Sequence, residues 1–318
     1  MKSNEITKDV SVIIVNYNTK QLLKDCLTSI YEKTDSIDFE VIVSDNGSQD
    51  GSTEMCRECF PQVRLIENNA NIGFGAANNR GLAVAAGKYV FYLNSDTVLL
   101  NNAIKIFFDY FESHVNEKLG AIGCNLKNVN GGGYVCSYGE MKSLTSFLRM
   151  MFITMLGNTK RTIQYFFTRK KIEVTLDSKA NFYLGNVEWI IGADLFVRND
   201  GYARFDERYF LYREEIDLQL CMSKAGLQLR IIDGPEIVHL EGGSANSNDK
   251  KSYKVFYFAT KRYVEQLISQ CKFYEKHENK PFQIFLLKIV IMLIWLNPLI
   301  VKDTYKNIPR LFKKNNGI

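Results

Sequence analysis

Four short apolar runs in the first hundred residues, at 10–15, 40–44, 63–67 and 89–93, each stop at a small cluster of Asn, Asp or Gly. Their β-branched and aromatic content and their length predict buried strands. Helix-like stretches at 19–33, 52–60 and 75–86 lie between them. Strands alternating with helices in this way predict right-handed βαβ units and a mostly parallel α/β sheet covered on both faces. In such sheets ligands sit outside the carboxyl ends of the strands, so the acidic residues at the stops, Asp45 and Asp96, face a ligand rather than a core.

The chain has 318 residues, 46% hydrophobic and 24% charged, enough for one large domain with an appendage. A net charge of +5, with the basic residues gathered after about Lys250, points to an anionic surface near the C-terminus. No nucleic-acid-binding signature accompanies it, and no nucleic acid is expected as partner. Seven scattered cysteines and a polar N-terminus from Met1 to Asp9 predict a reducing cytoplasm. Cys56 and Cys59 form a lone C-x-x-C without the second pair that a zinc site needs.

After Asn101 the pattern changes to a helix through Phe111, a strand at 121–126, a turn at Gly131-Gly132-Gly133, and a long mixed segment at 141–171. That segment joins Phe147, Met151, Phe152 and Leu156 to Lys160, Arg161, Arg169, Lys170 and Lys171. It reads equally as a membrane-surface element or as a core helix with a basic loop. Residues 187–197 and 229–239 read as later strands with an acidic helix, 213–225, between them. The stretch 284–296 is apolar except for Lys288 and, as a helix, reaches about 20 Å against about 30 Å of hydrocarbon. Flanking lysines favour a helix lying on an anionic leaflet, with a packed helix and a span of 282–301 as alternatives.

Several side chains carry chemistry on paper. Asp96, at Asn94-Ser95-Asp96 after a strand, can bridge a divalent cation to a phosphate, or can serve as a turn residue. Asp45 can accept from a base or ribose, while Asn46-Gly47 and Ser52 make a turn and a cap. Asn71-Ile72-Gly73-Phe74-Gly75 opens a helix whose amides suit a diphosphate, although the dinucleotide fingerprint is incomplete. Glu214, Glu215 and Asp217 start the acidic helix, where one carboxylate can act as a base or all can simply answer the helix dipole. His239, one of three histidines, ends an apolar strand as a ligand or a structural group. Trp189 and Tyr212 are candidate apolar walls for a ligand, or core aromatics.

The order of these motifs resembles the family 2 glycosyltransferases of GT-A fold, in particular rhamnosyltransferase-like bacterial members that build surface polysaccharides. The resemblance runs from Val10 to about Ser244. It rests on the run from Val12 to Asn18, Val43 to Ser48, Asn71 to Gly75 with Asn78-Asn79, Leu93 to Asp96, Gly192-Ala193, Phe205 to Asp217, and Val238-His239 with Gly243-Ser244.

The resemblance implies a transferase that inverts the anomeric centre of a dTDP- or UDP-linked sugar, with a Mg2+ or Mn2+ cofactor. Asn16, Tyr17, Asn18, Asp45, Gly73, Phe74, Asn78, Asn94, Ser95, Asp96, Gly192 and Ala193 then fall at nucleotide-sugar-binding positions. Asp96 and His239 match the metal site, and Glu215, beside Glu214, matches the catalytic base. Two departures stand out: Asn94 replaces the first Asp of D-x-D, and Glu215 replaces an Asp. The expected layout is a GT-A domain over 1–248, with a nucleotide half at 1–100, an acceptor half at 101–248 and a variable segment at 141–185. A membrane-associating helical segment follows at 249–318. The expected acceptor is a lipid-linked saccharide at the inner face of the cytoplasmic membrane, with oligomerisation left open. The rival expectation is a non-catalytic nucleotide-sugar-binding partner in a polysaccharide assembly complex.

Overall fold

The computed structural model describes residues 6–129, 133–168, 181–240, 261–297 and 304–313. They divide into two compact units, residues 1–140, 178–207 and 214–244 in the first, and 141–177, 208–213 and 245–318 in the second.

The first unit begins with β1 (Lys8–Asn16), α1 (Lys20–Lys33), β2 (Phe39–Asp45), α2 (Ser52–Cys59), β3 (Arg64–Glu67), α3 (Phe74–Leu82) and β4 (Gly87–Asn94). It continues through β5 (Thr97–Leu99), α4 (Ala103–Ser113), β6 (Leu119–Cys124) and β7 (Tyr138–Gly139). After α5 (Leu144–Thr168), which belongs to the second unit, come β8 (Gly185–Asn186), β9 (Trp189–Ile190), β10 (Asp194–Arg198), α6 (Glu214–Lys224), β11 (Gln228–Ile232) and β12 (Ile237–His239). Eight strands form one sheet in the order β3-β2-β1-β4-β10-β6-β11-β8. The β1–β2, β1–β4, β2–β3 and β6–β11 pairs are parallel, and β10 runs antiparallel between β4 and β6.

Period-two alternation along each strand feeds two cores. Val10, Val12 and Ile14 of β1 pack with Leu23, Leu27 and Ile30 of α1 and Phe107 and Phe111 of α4 on one face. Ile13 points to the other face, beside Val90, Phe205, Leu218 and Met222. Gly81 of α3 lies so close to Ile13 that a Cβ there would meet Ile13 Cγ2 at 2.5 Å, so this helix is seated on the sheet by the absence of a side chain.

Two predicted strands divide. The 187–197 run breaks into β9 and β10, because β9 pairs with β7 in a separate ribbon while β10 joins the main sheet. The 229–239 run breaks at Gly234, which has φ of 108°, and its second half pairs with β5 as β12. The 141–171 segment is one helix through Thr168, and the turn at Gly131-Gly132 lies outside the described residues.

The described residues of the second unit form α5, α7 (Lys261–His277), α8 (Pro281–Trp295), a 3-10 turn (Tyr305–Asn307) and α9 (Ile308–Phe312). Pro281 opens α8 at a position where its missing N–H costs nothing. Among the described residues no helix is long and apolar enough to cross a membrane.

Candidate active site

Sheet register sets the site. Asn16 is aligned with Asp45 across β1 and β2, Val15 with Asn94 across β1 and β4, and Asp194 with Leu93 across β10 and β4. Asn16, Asp45 and Asn94 therefore end their strands in one row at the carboxyl edge, and the Gly192-Ala193 turn enters β10 at the same level.

A chain of hydrogen bonds crosses this row. Asn16 Nδ2 donates to Asp45 Oδ2 at 2.8 Å and to Ser48 Oγ at 3.0 Å. Thr19 Oγ1 donates to Asn16 Oδ1 at 2.6 Å and shares a 3.0 Å bond with Ser95 Oγ. The loops after β1, β2 and β4 are thus tied together through buried polar atoms, each of which has a partner. Asn18, at φ of 54°, adds an exchange of bonds with the same loop, its N–H to Ser48 Oγ at 2.8 Å and its Oδ1 to the Gln49 N–H at 2.7 Å. Tyr17 stands out beside it, 47% exposed.

Asp45 has a structural duty that its sequence context does not disclose. Its Oδ1 accepts the N–H groups of Gly47 and Ser48 at 3.0 and 2.8 Å, folding the turn around the carboxylate while Oδ2 receives Asn16. The side chain is 2% exposed, so it organises the loop from within.

Behind this loop, Asn46 Nδ2 donates to the Gly73 carbonyl at 3.2 Å, and Asn71 Oδ1 accepts the Gly73 N–H at 3.1 Å. Gly73 has φ of 96°, a value open to glycine, and it launches α3 with its first amides towards the strand ends. Phe74 starts that helix, and buried Asn78 donates back to the Phe74 carbonyl at 3.2 Å. Asn79, quoted above as a motif residue without a role, clamps the loop before α6. Its Oδ1 accepts the Phe205 N–H at 2.9 Å, and its Nδ2 donates to the Phe205 carbonyl and to Glu207 Oε1, both at 2.9 Å.

Asp96 is nearly buried, and its neighbour is His239. Antiparallel pairing of Thr97 with His239 across β5 and β12 brings His239 Nε2 to 3.2 Å from Asp96 Oδ1. A carboxylate and an imidazole suit Mn2+ or Mg2+ when substrate phosphates complete the shell. Among the described residues no group of three or more His, Cys, Asp or Glu gathers to hold a metal. The Asn94 backbone N–H is held by the Ala193 carbonyl at 3.1 Å, which fixes this loop against the β10 entry. Gly243 and Ser244 lie outside the described residues.

Glu214 and Glu215 separate by about 100° around α6 and meet different surroundings. Glu214 is buried, with its Cβ 3.4 Å from the position a Gly75 Cβ would take. Glu215 is half-buried and faces Gly192: a Cβ on Gly192 would lie 3.5 Å from Glu215 Cβ and 3.6 Å from the Phe74 ring. Tyr212 and Arg213, immediately before α6, both take positive φ, 68° and 74°. Such angles cost roughly 1–2 kcal/mol each in non-glycine residues, a strain that clusters where backbone position matters. Trp189 packs its indole on Gly139 and donates its Nε1 to the Glu140 carbonyl at 3.2 Å.

Asp194 is a fully buried carboxyl that the sequence reading passed over. Its Oδ2 accepts the Cys124 N–H at 2.7 Å. Burial pushes it up to about 7, against hydrogen bonds from the Cys124 backbone and thiol and the attraction of His239. Thr19, Asn79 and Asp194 escaped a reading based on strand-end acids because their roles depend on partners distant in sequence. For Asn79 the signal was its place in the Asn78-Asn79 pair.

The chain is similar to known glycosyltransferases. The model of the family described as Glycosyl transferase family 2 matches residues 11–173, a little over half of the chain. The N-acetylglucosaminyl-diphospho-decaprenol L-rhamnosyltransferase of Mycobacterium tuberculosis is 27% identical over 252 residues, 74% of this chain and 76% of that protein. Rhamnosyltransferase WbbL of Escherichia coli K12 is 24% identical over 266 residues, 80% of this chain and 92% of that one. Among solved structures, mannosyltransferase PcManGT from Pyrobaculum calidifontis, in complex with GDP-Man and Mn2+, aligns with a TM-score of 0.50 at 15% identity. That alignment covers 96% of this chain and 75% of the other.

Proposed function

The chain belongs to glycosyl transferase family 2 and has the GT-A fold, and on that premise we propose that it is an inverting transferase. In this reading it moves a sugar from a dTDP- or UDP-linked donor to a lipid-linked saccharide during cell-surface glycan synthesis. The observation that carries the reading is the convergence of Asp96 with His239 at the carboxyl edge of the sheet, where Gly192 opens towards Glu215. Rhamnose as the sugar, and a diphospho-lipid acceptor, follow the names of the mycobacterial and E. coli relatives.

Each group has a task in this proposal. Exposed Tyr17 and the loop organised by Asp45 receive the nucleotide, and the first amides of α3 face its diphosphate. Asp96 and His239 would hold the divalent cation, which when bound neutralises charge on the diphosphate leaving group. The PcManGT complex supports a cation in this fold. Glu215 takes the proton of the acceptor hydroxyl as that oxygen attacks the sugar from the face opposite the diphosphate, and Gly192 leaves room for the approach. Glu214, buried beside Gly75, seats the helix that carries Glu215. The lipid-linked acceptor in the name of the mycobacterial relative supports a peripheral place at the inner face of the membrane.

The test is turnover by purified full-length chain with Mn2+, dTDP-rhamnose or a panel of UDP-sugars, and a synthetic N-acetylglucosaminyl-diphospho-lipid. The expected result is release of nucleoside diphosphate together with a product of inverted anomeric configuration by NMR. Retained configuration would overturn the mechanism. Donor binding with no diphosphate released under any acceptor would favour the non-catalytic binding partner.

A further inference from the structure

Among the described residues, the second unit carries an apolar face that their packing does not use. Helix α8 is apolar on every side: Ile284, Leu287, Ile291 and Ile294 are buried, yet Phe282, Phe285, Leu286, Leu293 and Leu296 form a second stripe that is exposed. Apolar residues all round are the mark of a helix with no face in water. Helix α5 repeats the arrangement, with Leu144, Phe147 and Met151 buried and Phe152, Ile153, Leu156, Ile163 and Phe167 exposed by 49% to 86%.

The two helices are parallel neighbours. Near their starts Thr145 Oγ1 donates to Gln283 Oε1 at 3.2 Å, and near the end of α8 Asn297 Nδ2 donates to Thr162 Oγ1 at 2.8 Å. Both rest on α7, α5 through the Phe147 and Tyr274 rings, whose centroids are 5.7 Å apart, and α8 through the Lys288 and Glu275 ion pair. Their exposed stripes flank this contact along about four turns, and Phe285 marks the edge towards α7, where it lines a groove with Glu275, Glu278 and Phe312. Single exposed apolar residues need no explanation, but a contiguous two-helix face marks an interaction site.

Charge selects the occupant. From Met141 to Ile172 the sequence has seven Lys or Arg and no Asp or Glu, and α8 has no acid either. Exposed Arg149 and Lys160 recur at helical spacing with Ile153, Leu156 and Ile163, so these cations lie within the apolar stripe of α5. A second copy of the chain would set this cationic face against itself. A lipid surface is apolar below and, with acidic headgroups, anionic above, and long basic side chains reach up to the phosphates from an apolar bed. The α8 helix is about 22 Å long against about 30 Å of hydrocarbon, which suits lying along the surface.

We propose that α5 and α8 together form a single bilayer-docking face, lying side by side in the headgroup region of an anionic membrane. This deepens the peripheral-membrane part of the function proposed above, and it can be tested without turnover. Full-length protein is floated with vesicles of phosphatidylcholine alone and of phosphatidylcholine with one quarter phosphatidylglycerol. Binding to the anionic vesicles at least tenfold tighter than to the neutral ones is expected. Two double variants probe the face: Leu286→Glu with Leu293→Glu on α8, and Arg149→Glu with Lys160→Glu on α5. Each should lose vesicle binding at least tenfold while keeping the parental melting curve and nucleotide-diphosphate binding by calorimetry. Failure of the parent to bind anionic vesicles, parental binding by both variants, or a parental dimer that the α8 variant dissolves would overturn the docking face. Vesicle binding without sugar transfer would count against the transferase reading alone.

Discussion

Asn16 Nδ2 and Asp45 Oδ2 meet at 2.8 Å between two aligned strand ends, and the same Asn16 side chain accepts Thr19, which in turn reaches Ser95. This makes the turn after β2 and the Asn94-Ser95-Asp96 turn parts of one network. Asn16→Ala leaves a buried carboxylate short of a donor, a loss on the order of 1–3 kcal/mol. We expect a lower melting temperature and at least tenfold weaker binding of UDP or dTDP by calorimetry. Unchanged affinity in a destabilised variant would detach this network from donor binding.

The Asp96 and His239 pair makes a prediction about cations. Asp96→Ala should abolish Mn2+-dependent transfer, and His239→Ala should raise the Mn2+ concentration needed for half-maximal rate at least tenfold. Chelation of the parent with EDTA should stop transfer, with recovery on adding Mn2+. A rate that ignores chelation removes the metal role from both residues.

Adjacent acids on α6 are expected to differ in kind. Glu215→Gln should lower transfer by roughly two to four orders of magnitude with donor affinity unchanged, the usual scale of general-base catalysis. Glu214→Gln, in its buried seat, should show itself first in thermal melting. Equal effects of the two substitutions on turnover would contradict the division.

Asp194 gives a pH dependence of defined sign. Burial raises its carboxyl from 3.8 to about 7, so the folded chain holds a proton that the unfolded chain has already released. Stability contributed at this position is present below about pH 4, is lost as pH rises towards about 7, and stays lost above it. Asp194→Asn keeps an acceptor for the Cys124 N–H without the ionisation. It should melt with the parent near pH 4 and above it near pH 8, by at most about 4 kcal/mol at 1.36 kcal/mol per pKa unit. Identical melting of parent and variant at both pH values would refute the protonated assignment.

The parallel half of the sheet was legible because each strand there is one apolar run closed by its own punctuation. Strands built from pieces were not. The 187–197 run is continuous in composition, but its halves are divided at Gly192-Ala193 between a ribbon with β7 and the main sheet, a choice made by partners rather than by local pattern. The site shows the same limit. The spelling of Asp45-Asn46-Gly47-Ser48 announces a turn, whereas the inward aim of the Asp45 carboxylate depends on Asn16, 29 residues away. Glu214 and Glu215 are indistinguishable as letters, and only the approach of Gly75 to one and Gly192 to the other separates them. The 141–171 segment displayed its mixed character plainly, yet the two stripes on α5 required knowing which helix lies behind it.

Gly192 contributes backbone alone between the Phe74 ring and the stem of Glu215. A methyl group would fit there in ordinary contact with both, but a longer substituent would plug the passage. If Glu215 receives the acceptor as proposed, bulky incoming hydroxyls would be throttled at this single codon, with the nucleotide loops and the sheet untouched by the change.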